Sequence, residues 1–156
     1  MASAQAPDST LPPDIRIRAA AVGDASDVAL LLDALGYPCS RDEAAERIAV
    51  ILGDPRQHLV LAEIDGHACG LVAMDLRYSL TRGADQARIT ALVVKPESCR
   101  KGIGRRLLRE VEGIARRVRV ARIEVTSNPR RNDAHVFYRD CGYADGSRHF
   151  FKLLGD

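Results

Sequence analysis

The residues best suited to chemistry lie in the run Leu92-Val93-Val94-Lys95-Pro96-Glu97-Ser98-Cys99-Arg100-Lys101-Gly102-Ile103-Gly104-Arg105-Arg106-Leu107-Leu108. An apolar strand-like segment ends at Pro96, a polar loop with two glycines turns, and an amphipathic helix begins at once. A helix start presents N–H groups without intrahelical partners, together with the positive end of the helix dipole, and so suits phosphate oxygens. Glycines at 102 and 104 allow the backbone to approach such a ligand closely. Two familiar phosphate motifs are excluded. A Walker loop needs Lys and Ser or Thr at its close, where this chain has Arg105 and Arg106, and a dinucleotide fingerprint needs a small residue where Leu107 stands. A second stretch rich in functional groups, Asn128 to Tyr143, holds Asn128, Asn132, His135, Tyr138 and Cys141. Taken alone, Phe137-Tyr138 reads as a pair of core aromatics and His135 as a partly exposed helix histidine.

Together the two stretches resemble the paired motifs of the GNAT acetyltransferase superfamily. The first follows its pattern of Gln or Arg, two residues, Gly, any residue, then Gly or Ala, at Gly102 and Gly104 but not at its first place. The second, Ala134 through Phe137-Tyr138 to Gly142-Tyr143, matches its closing motif. The resemblance runs from about Ile15 to Leu154. It implies acetyl-CoA as cosubstrate, with no metal, and transfer of the acetyl group to a primary amine of an unidentified acceptor. The amine would attack directly in a ternary complex. Leu92, Val93 and Val94 would offer strand-edge backbone groups to the pantetheine arm and the acetyl carbonyl. Cys99, Arg100, Lys101, Gly102, Ile103, Gly104 and Arg105 would cradle the pyrophosphate. Asn132 or Asn128 would hold the pantetheine, although the family's usual position holds Arg131. Tyr138 would protonate the departing thiolate. Three positions depart from the family pattern: Cys99 replaces Gln or Arg, Thr90 and Ala91 stand where a Glu base is common, and Cys141 replaces a Leu. Without that Glu, the base comes from elsewhere or from a water chain, or is not needed for a neutral acceptor. The same gap motivates the alternative of a non-catalytic GNAT-like acyl-CoA-binding module.

The elements that must position these groups are legible from periodicity. Ile15–Ala19 alternates as a strand. Val28, Leu31, Leu32 and Leu35 mark a helix with Asp24 as N-cap and Gly36 as its stop, and Ser40-Arg41-Asp42-Glu43 is a capping box opening a second helix. Strands are expected at His58–Ile64 and Ala68–Tyr78, joined by a hairpin turn at Asp65-Gly66. A polar loop near Thr81–Gln86 leads to Ala87–Val94, which reads as a central strand buried on both faces. Leu107, Leu108, Val111, Ile114, Ala115 and Val118 line the apolar face of the next helix. Arg105, Arg106, Arg109, Arg116 and Arg117 fall on its solvated face. A strand at Ala121–Ser127, a helix at Asp133–Cys141 and a last strand at Phe150–Leu154 complete a mixed α/β sandwich. The resemblance implies a central, mostly antiparallel, twisted sheet of about six or seven strands flanked by about four helices. Glu124 reads as a salt-bridged surface carboxylate.

The 156 residues suffice for one domain, placed at 15–156, after a polar Pro-containing tail, Met1–Asp14, expected to be disordered. Lys plus Arg is 23 against 21 for Asp plus Glu, a net charge of +2 that, without interleaved aromatics, argues against a nucleic-acid binder. Cys39, Cys69, Cys99 and Cys141 are widely spaced and the histidines lack metal-ligand spacing, so reduced thiols, a cytoplasmic location and no metal are expected. No apolar run approaches a membrane span. A homodimer is implied by the resemblance alone.

Overall fold

The computed structural model describes residues 14–99, 101–126, 132–146 and 150–155. Five strands, β1 (Arg16–Ala19), β2 (Gln57–Ile64), β3 (His67–Ser79), β4 (Ala84–Val94) and β5 (Ile123–Val125), form one sheet in sequence order. The first three pairings are antiparallel, and β4 runs parallel to β5. Four helices cover it: α1 (Ala25–Leu35), α2 (Arg41–Leu52), α3 (Ile103–Arg117) and α4 (Asn132–Asp140). The mixed α/β architecture is the one expected, but the described residues hold five strands rather than six or seven. Phe150–Leu154 is not a strand; its Phe150, Phe151, Leu153 and Leu154 stand exposed. Ser127 and the tail up to residue 13 lie outside the described residues.

The sheet separates two apolar clusters. On one face Leu61, Leu71 and Ala68 pack against Val28 and Leu31 of α1 and Ala44 and Ile48 of α2. On the other, Val72, Met74, Ala87 and Ile89 pack against Ile103, Leu107, Leu108 and Val111 of α3. The spacing of those α3 residues puts them on one side of a 3.6-residue helix, and the five arginines fall on the exposed side. Val118 departs from that apolar face: it follows the last turn of α3 and is exposed. α3 lies close to the sheet because Gly70 faces it, where a Cβ would come within 3.2 Å of Leu107 Cδ1.

Local signals set the boundaries. Ser40 Oγ accepts the Glu43 N–H at 3.0 Å while Glu43 accepts the Ser40 N–H at 2.9 Å, the reciprocal capping box. Asp65 and Gly66 both take positive φ, 52° and 82°, as a two-residue hairpin turn of matching twist requires. Asp24 stands at the N-cap of α1 without capping it. Its carboxylate accepts the Ala21 N–H at 2.8 Å and pairs with Arg18 at 2.7 Å.

β4 is the strand that departs most from its sequence reading. It starts at Ala84, inside the expected loop, and only Ala87 and Ile89 are fully buried. β5 pairs with it at Ala87–Ile89 alone. Opposite the Ala73–Met74 step of β3, Thr90 is an extra residue, a bulge that bends β4 where β5 leaves it. Among the described residues no strand pairs with the outer edge of Thr90–Val94, so Leu92, Val93 and Val94 are half-buried rather than enclosed.

Candidate active site at the fork between two strands

The open edge of β4 leads directly into the glycine loop. After Val94, the Lys95 N–H donates to the Cys69 carbonyl at 2.8 Å, which ties the loop to β3. Pro96–Ser98 forms a single 3-10 turn, Ser98 is buried beneath it, and Cys99 is extended. Gly102 then takes φ +75°, a left-handed conformation that glycine adopts without a Cβ penalty, and caps α3. The first bond closing the helix runs from the Arg106 N–H to the Gly102 carbonyl at 3.1 Å. By helix geometry the N–H groups of Ile103, Gly104 and Arg105 have no intrahelical acceptor. Gly102 and Ile103 stand where the sequence placed a phosphate cradle, with Lys101 and Arg105 exposed beside them. Arg100 lies outside the described residues.

Gly104 has a packing reason for being glycine beside the one its motif suggests. A Cβ there would meet Phe137 Cζ of α4 at 3.0 Å. The residue leaves room for an aromatic ring and thereby seats α4 against the start of α3. Phe137 in turn packs edge-on to Tyr138, ring centroids 5.4 Å apart, and Tyr138 lies 5.8 Å from the Tyr143 ring. Tyr138 and Phe137 border the same apolar cluster as Leu92 and Val94. Tyr143 is fixed by its hydroxyl, which donates to Glu112 Oε2 at 2.7 Å, and burial followed by that carboxylate pushes its phenol far above the usual range. Gly142, φ +94°, makes the turn that returns Tyr143 beneath Tyr138.

The remaining sequence-predicted residues are distributed as follows. Asn132 begins α4, but its side chain, like all of Asn128 and Arg131, lies outside the described residues. His135 is half-buried on α4. The Cys99 thiol is exposed and donates to the Lys95 carbonyl at 3.4 Å. Arg105 reaches across to the Asp140 carbonyl at 3.5 Å. A polar cleft lies there, lined by Arg105, Arg109, Glu112, Asp140 and Cys141, and burial raises the Cys141 thiol. Glu124 is paired with Arg122 at 2.8 Å on the surface, as expected. Three residues escaped the sequence reading: the Gly70 contact, the Thr90 bulge and Asp75. Only Asp75 left a trace there, as the one charge in the apolar run Leu71–Leu76. Among the described residues no three metal-ligating side chains converge, and no helix is long and apolar enough to cross a membrane.

A strand edge unpaired among the described residues, a helix start at its end and an aromatic pair packed on that helix start can hold an extended, phosphate-bearing ligand. Comparison with known proteins identifies the family. The acetyltransferase (GNAT) family profile matches residues 28–143. An aminoalkylphosphonate N-acetyltransferase of Salmonella typhimurium is 32% identical over 125 residues, 80% of this chain and 79% of the relative. Among solved structures, a GNAT family acetyltransferase of Staphylococcus aureus superposes with a TM-score of 0.78 at 26% identity, covering 90% of this chain and 98% of that one. An aminoglycoside antibiotic 6′-N-acetyltransferase of Acinetobacter baumannii, at 21% identity, shares the fold with a TM-score of 0.77 over 91% of this chain and all of that one. The family profile matched over residues 28–143, together with the Salmonella relative, makes this chain a member of the GNAT acetyltransferase family.

Proposed function

We propose that the protein is an acetyl-CoA-dependent N-acetyltransferase that transfers the acetyl group to a primary amine by direct attack. The observation that carries this is the fork, in which no strand among the described residues pairs with the outer edge of Thr90–Val94, just ahead of the α3 N-terminus. The pyrophosphate rests on the loop from Cys99 to Arg105, and the pantetheine arm lies along Leu92–Val94. A backbone N–H near Val93 or Val94 meets the tetrahedral oxyanion. Tyr138 protonates the departing thiolate. Holding both reactants in one geometry supplies much of the acceleration, an effect of ~7–11 kcal/mol when fully realised. The Salmonella relative supports small aminoalkylphosphonates as the first acceptors to try.

The experiment has two arms. Saturating acetyl-CoA raises the melting temperature, by about 2.7 kcal/mol of stabilisation at a hundredfold excess over Kd; a flat melt refutes the reading. A panel of amines, read by release of free thiol, then separates an enzyme from a binding module. Tyr138→Phe keeps the ring, and its expected result is unchanged acetyl-CoA binding with turnover about 10²–10⁴-fold lower. Unchanged turnover, with chemistry rate-limiting, would make Tyr138 a packing residue only.

A further inference from the structure

The end of α4 is built around Tyr138. Gly142 takes a left-handed φ of +94°, its N–H donates to the Arg139 carbonyl at 3.0 Å, and the Tyr143 N–H donates to the Tyr138 carbonyl at 2.9 Å. Those two bonds are the pair that closes a helix on a left-handed glycine, and a contact between the side chains at its two ends commonly accompanies them. Here that contact is aromatic. The Tyr138 and Tyr143 rings are inclined at 59° with centroids 5.8 Å apart, and Phe137 packs edge-on to Tyr138 at 5.4 Å. Tyr138 is therefore the middle ring of three.

A ring contact of that kind needs no hydroxyl. The Tyr143 phenol nevertheless donates to Glu112 Oε2 at 2.7 Å, across 31 positions of sequence to α3, and both residues are half-buried. Withdrawing a phenol and a carboxylate from water is costly, a cost that a Phe or Leu at 143 would avoid. What the bond adds is direction, because a charged acceptor fixes the hydroxyl, and with it the ring, relative to α3. Helix α4 is thereby held on α3 at two points. Near the glycine loop the Phe137 ring fills the space over Gly104. About 12 Å further along α3, at 1.5 Å per residue, Glu112 takes the Tyr143 hydroxyl. The outer rings of the row of three are each anchored to α3, and Tyr138 sits between them.

We propose that Tyr143, held by Glu112, is a positioning residue that sets the Tyr138 ring relative to the glycine loop and so governs how well Tyr138 protonates the thiolate. This rests on the acetyl-transfer reading above. The step keeps its balance: the neutral amine nitrogen forms the C–N bond at the thioester carbonyl, and the C–S bond breaks on collapse. The thiolate takes the Tyr138 phenol proton, and the proton lost from nitrogen restores Tyr138 by way of solvent. Neither Tyr143 nor Glu112 gives up or gains a proton. Their part is geometric. Helix α3 begins at the glycine loop, so one rigid element carries both the phosphate end of the site and the support of its acid. Without the bond to Glu112, the Tyr143 ring turns more freely and the Tyr138 ring loses a fixed neighbour. A misplacement of about 1 Å at a reacting group can cost 10²-fold in rate, so a partial loss of alignment is enough to be measured.

The test is a double-mutant cycle. Tyr143→Phe keeps the ring and the backbone closure of α4 and removes only the bond to Glu112. The expected kcat is about tenfold lower on an amine that the wild type acetylates, with the acetyl-CoA KM and the rise in melting temperature on adding acetyl-CoA unchanged. Glu112→Leu breaks the same bond from α3 and shows the same loss, whereas Glu112→Gln keeps an acceptor for the phenol and loses less. In a Tyr138→Phe background, adding Tyr143→Phe lowers kcat by less than about twofold, because the group it positions is already gone. If Tyr143→Phe melts too low to assay, Glu112→Leu takes its place in the cycle, since it leaves the closure of α4 untouched. A tenfold loss that persists without the Tyr138 hydroxyl overturns the proposal. So does a loss carried by the acetyl-CoA KM instead of kcat, or wild-type kcat in both Tyr143→Phe and Glu112→Leu. A Tyr138→Phe enzyme with wild-type turnover overturns the acid role of Tyr138, and Tyr143 falls with it. A wild type that neither binds acetyl-CoA nor acetylates any amine overturns the acetyl-transfer reading itself.

Discussion

Gly102 and Gly104 sit two residues apart in one motif, yet different forces require each. Gly102 needs a left-handed φ of +75°, whereas Gly104 must leave space for the Phe137 ring 3.0 Å from where its Cβ would be. Spacing alone identified both positions, because the motif records which residues occur and not what they touch. The contact partner of Gly104 sits on α4, beyond the reach of any local pattern. Asp75 illustrates the same limit: its charge is visible in the sequence, but whether its buried Oδ1 finds a partner depends on which way Arg88, opposite it on β4, turns. The expected outcome for Gly104→Ala follows from overpacking. The ring has to give by a few tenths of an ångström, at a cost of about 1–3 kcal/mol set against the ~1 kcal/mol that Ala gains over Gly inside a helix, for a net loss of up to about 2 kcal/mol. Urea denaturation measures that loss. Because Tyr138 rides on the same turn, turnover is expected to fall more than acetyl-CoA affinity. A Gly104→Ala protein as stable and as active as wild type would remove Phe137 from this account.

At the scale of elements, signals confined to a few neighbouring residues were the readable ones. The Ser40–Glu43 box and the Asp65-Gly66 turn appear where expected because each is complete within its own segment. β4 was misread in its second half for a matching reason. Ile89-Thr90-Ala91-Leu92-Val93-Val94 has the composition of an enclosed strand, but enclosure depends on a neighbour, and β5 contributes only Ile123–Val125. Phe150–Leu154 likewise has strand composition without strand pairing among the described residues. The half-open strand makes a prediction for hydrogen exchange. The amides of Thr90–Val94 that point away from β3 exchange rapidly in the free protein, since exposed backbone groups open at little cost. Saturating acetyl-CoA is expected to slow them, while amides of Leu71–Leu76 in the middle of the sheet stay protected throughout. Equal rates with and without acetyl-CoA would argue that the ligand does not lie along this edge.

For the whole molecule, two titratable groups set the pH range of stability, Asp24 in its cluster with Arg18 and Tyr143 in its bond to Glu112. Arg18 ties β1 to Asp24 ahead of α1 at 2.7 Å and to Glu63 of β2 at 2.9 Å. The Arg18 guanidinium holds the Asp24 carboxyl below its ordinary value. That contribution is fully present above the usual Asp range, near pH ~4, and is lost as pH falls through the depressed value. Tyr143 behaves in the reverse sense. Burial and Glu112 keep its phenol protonated, so its contribution is intact below pH ~10 and is lost as the medium becomes more alkaline. Melting temperatures are therefore expected to form a plateau between these limits. Asp24→Asn melts several degrees lower at neutral pH and converges on the wild type in acid. Tyr143→Phe removes the alkaline decline. Parallel curves for Asp24→Asn and the wild type down to pH ~2 would exclude the Arg18 cluster as the acid-sensitive element. The order of elements that carries these groups, strand, two helices, three strands, helix, strand and helix, was legible in the sequence up to the last strand expected at Phe150–Leu154, which the structure does not form, because hydrophobic periodicity records the order residue by residue but not the pairing.

Among the four cysteines, Cys69 is buried, Cys39 and Cys141 are half-buried, and Cys99 alone is exposed, at the mouth of the glycine loop. The native chain thus carries a labelling handle at the edge of its proposed ligand site. The rate at which a thiol reagent adds mass at Cys99 becomes a gauge of occupancy. With it, candidate donors can be ranked before any acceptor has been identified and without altering a single residue.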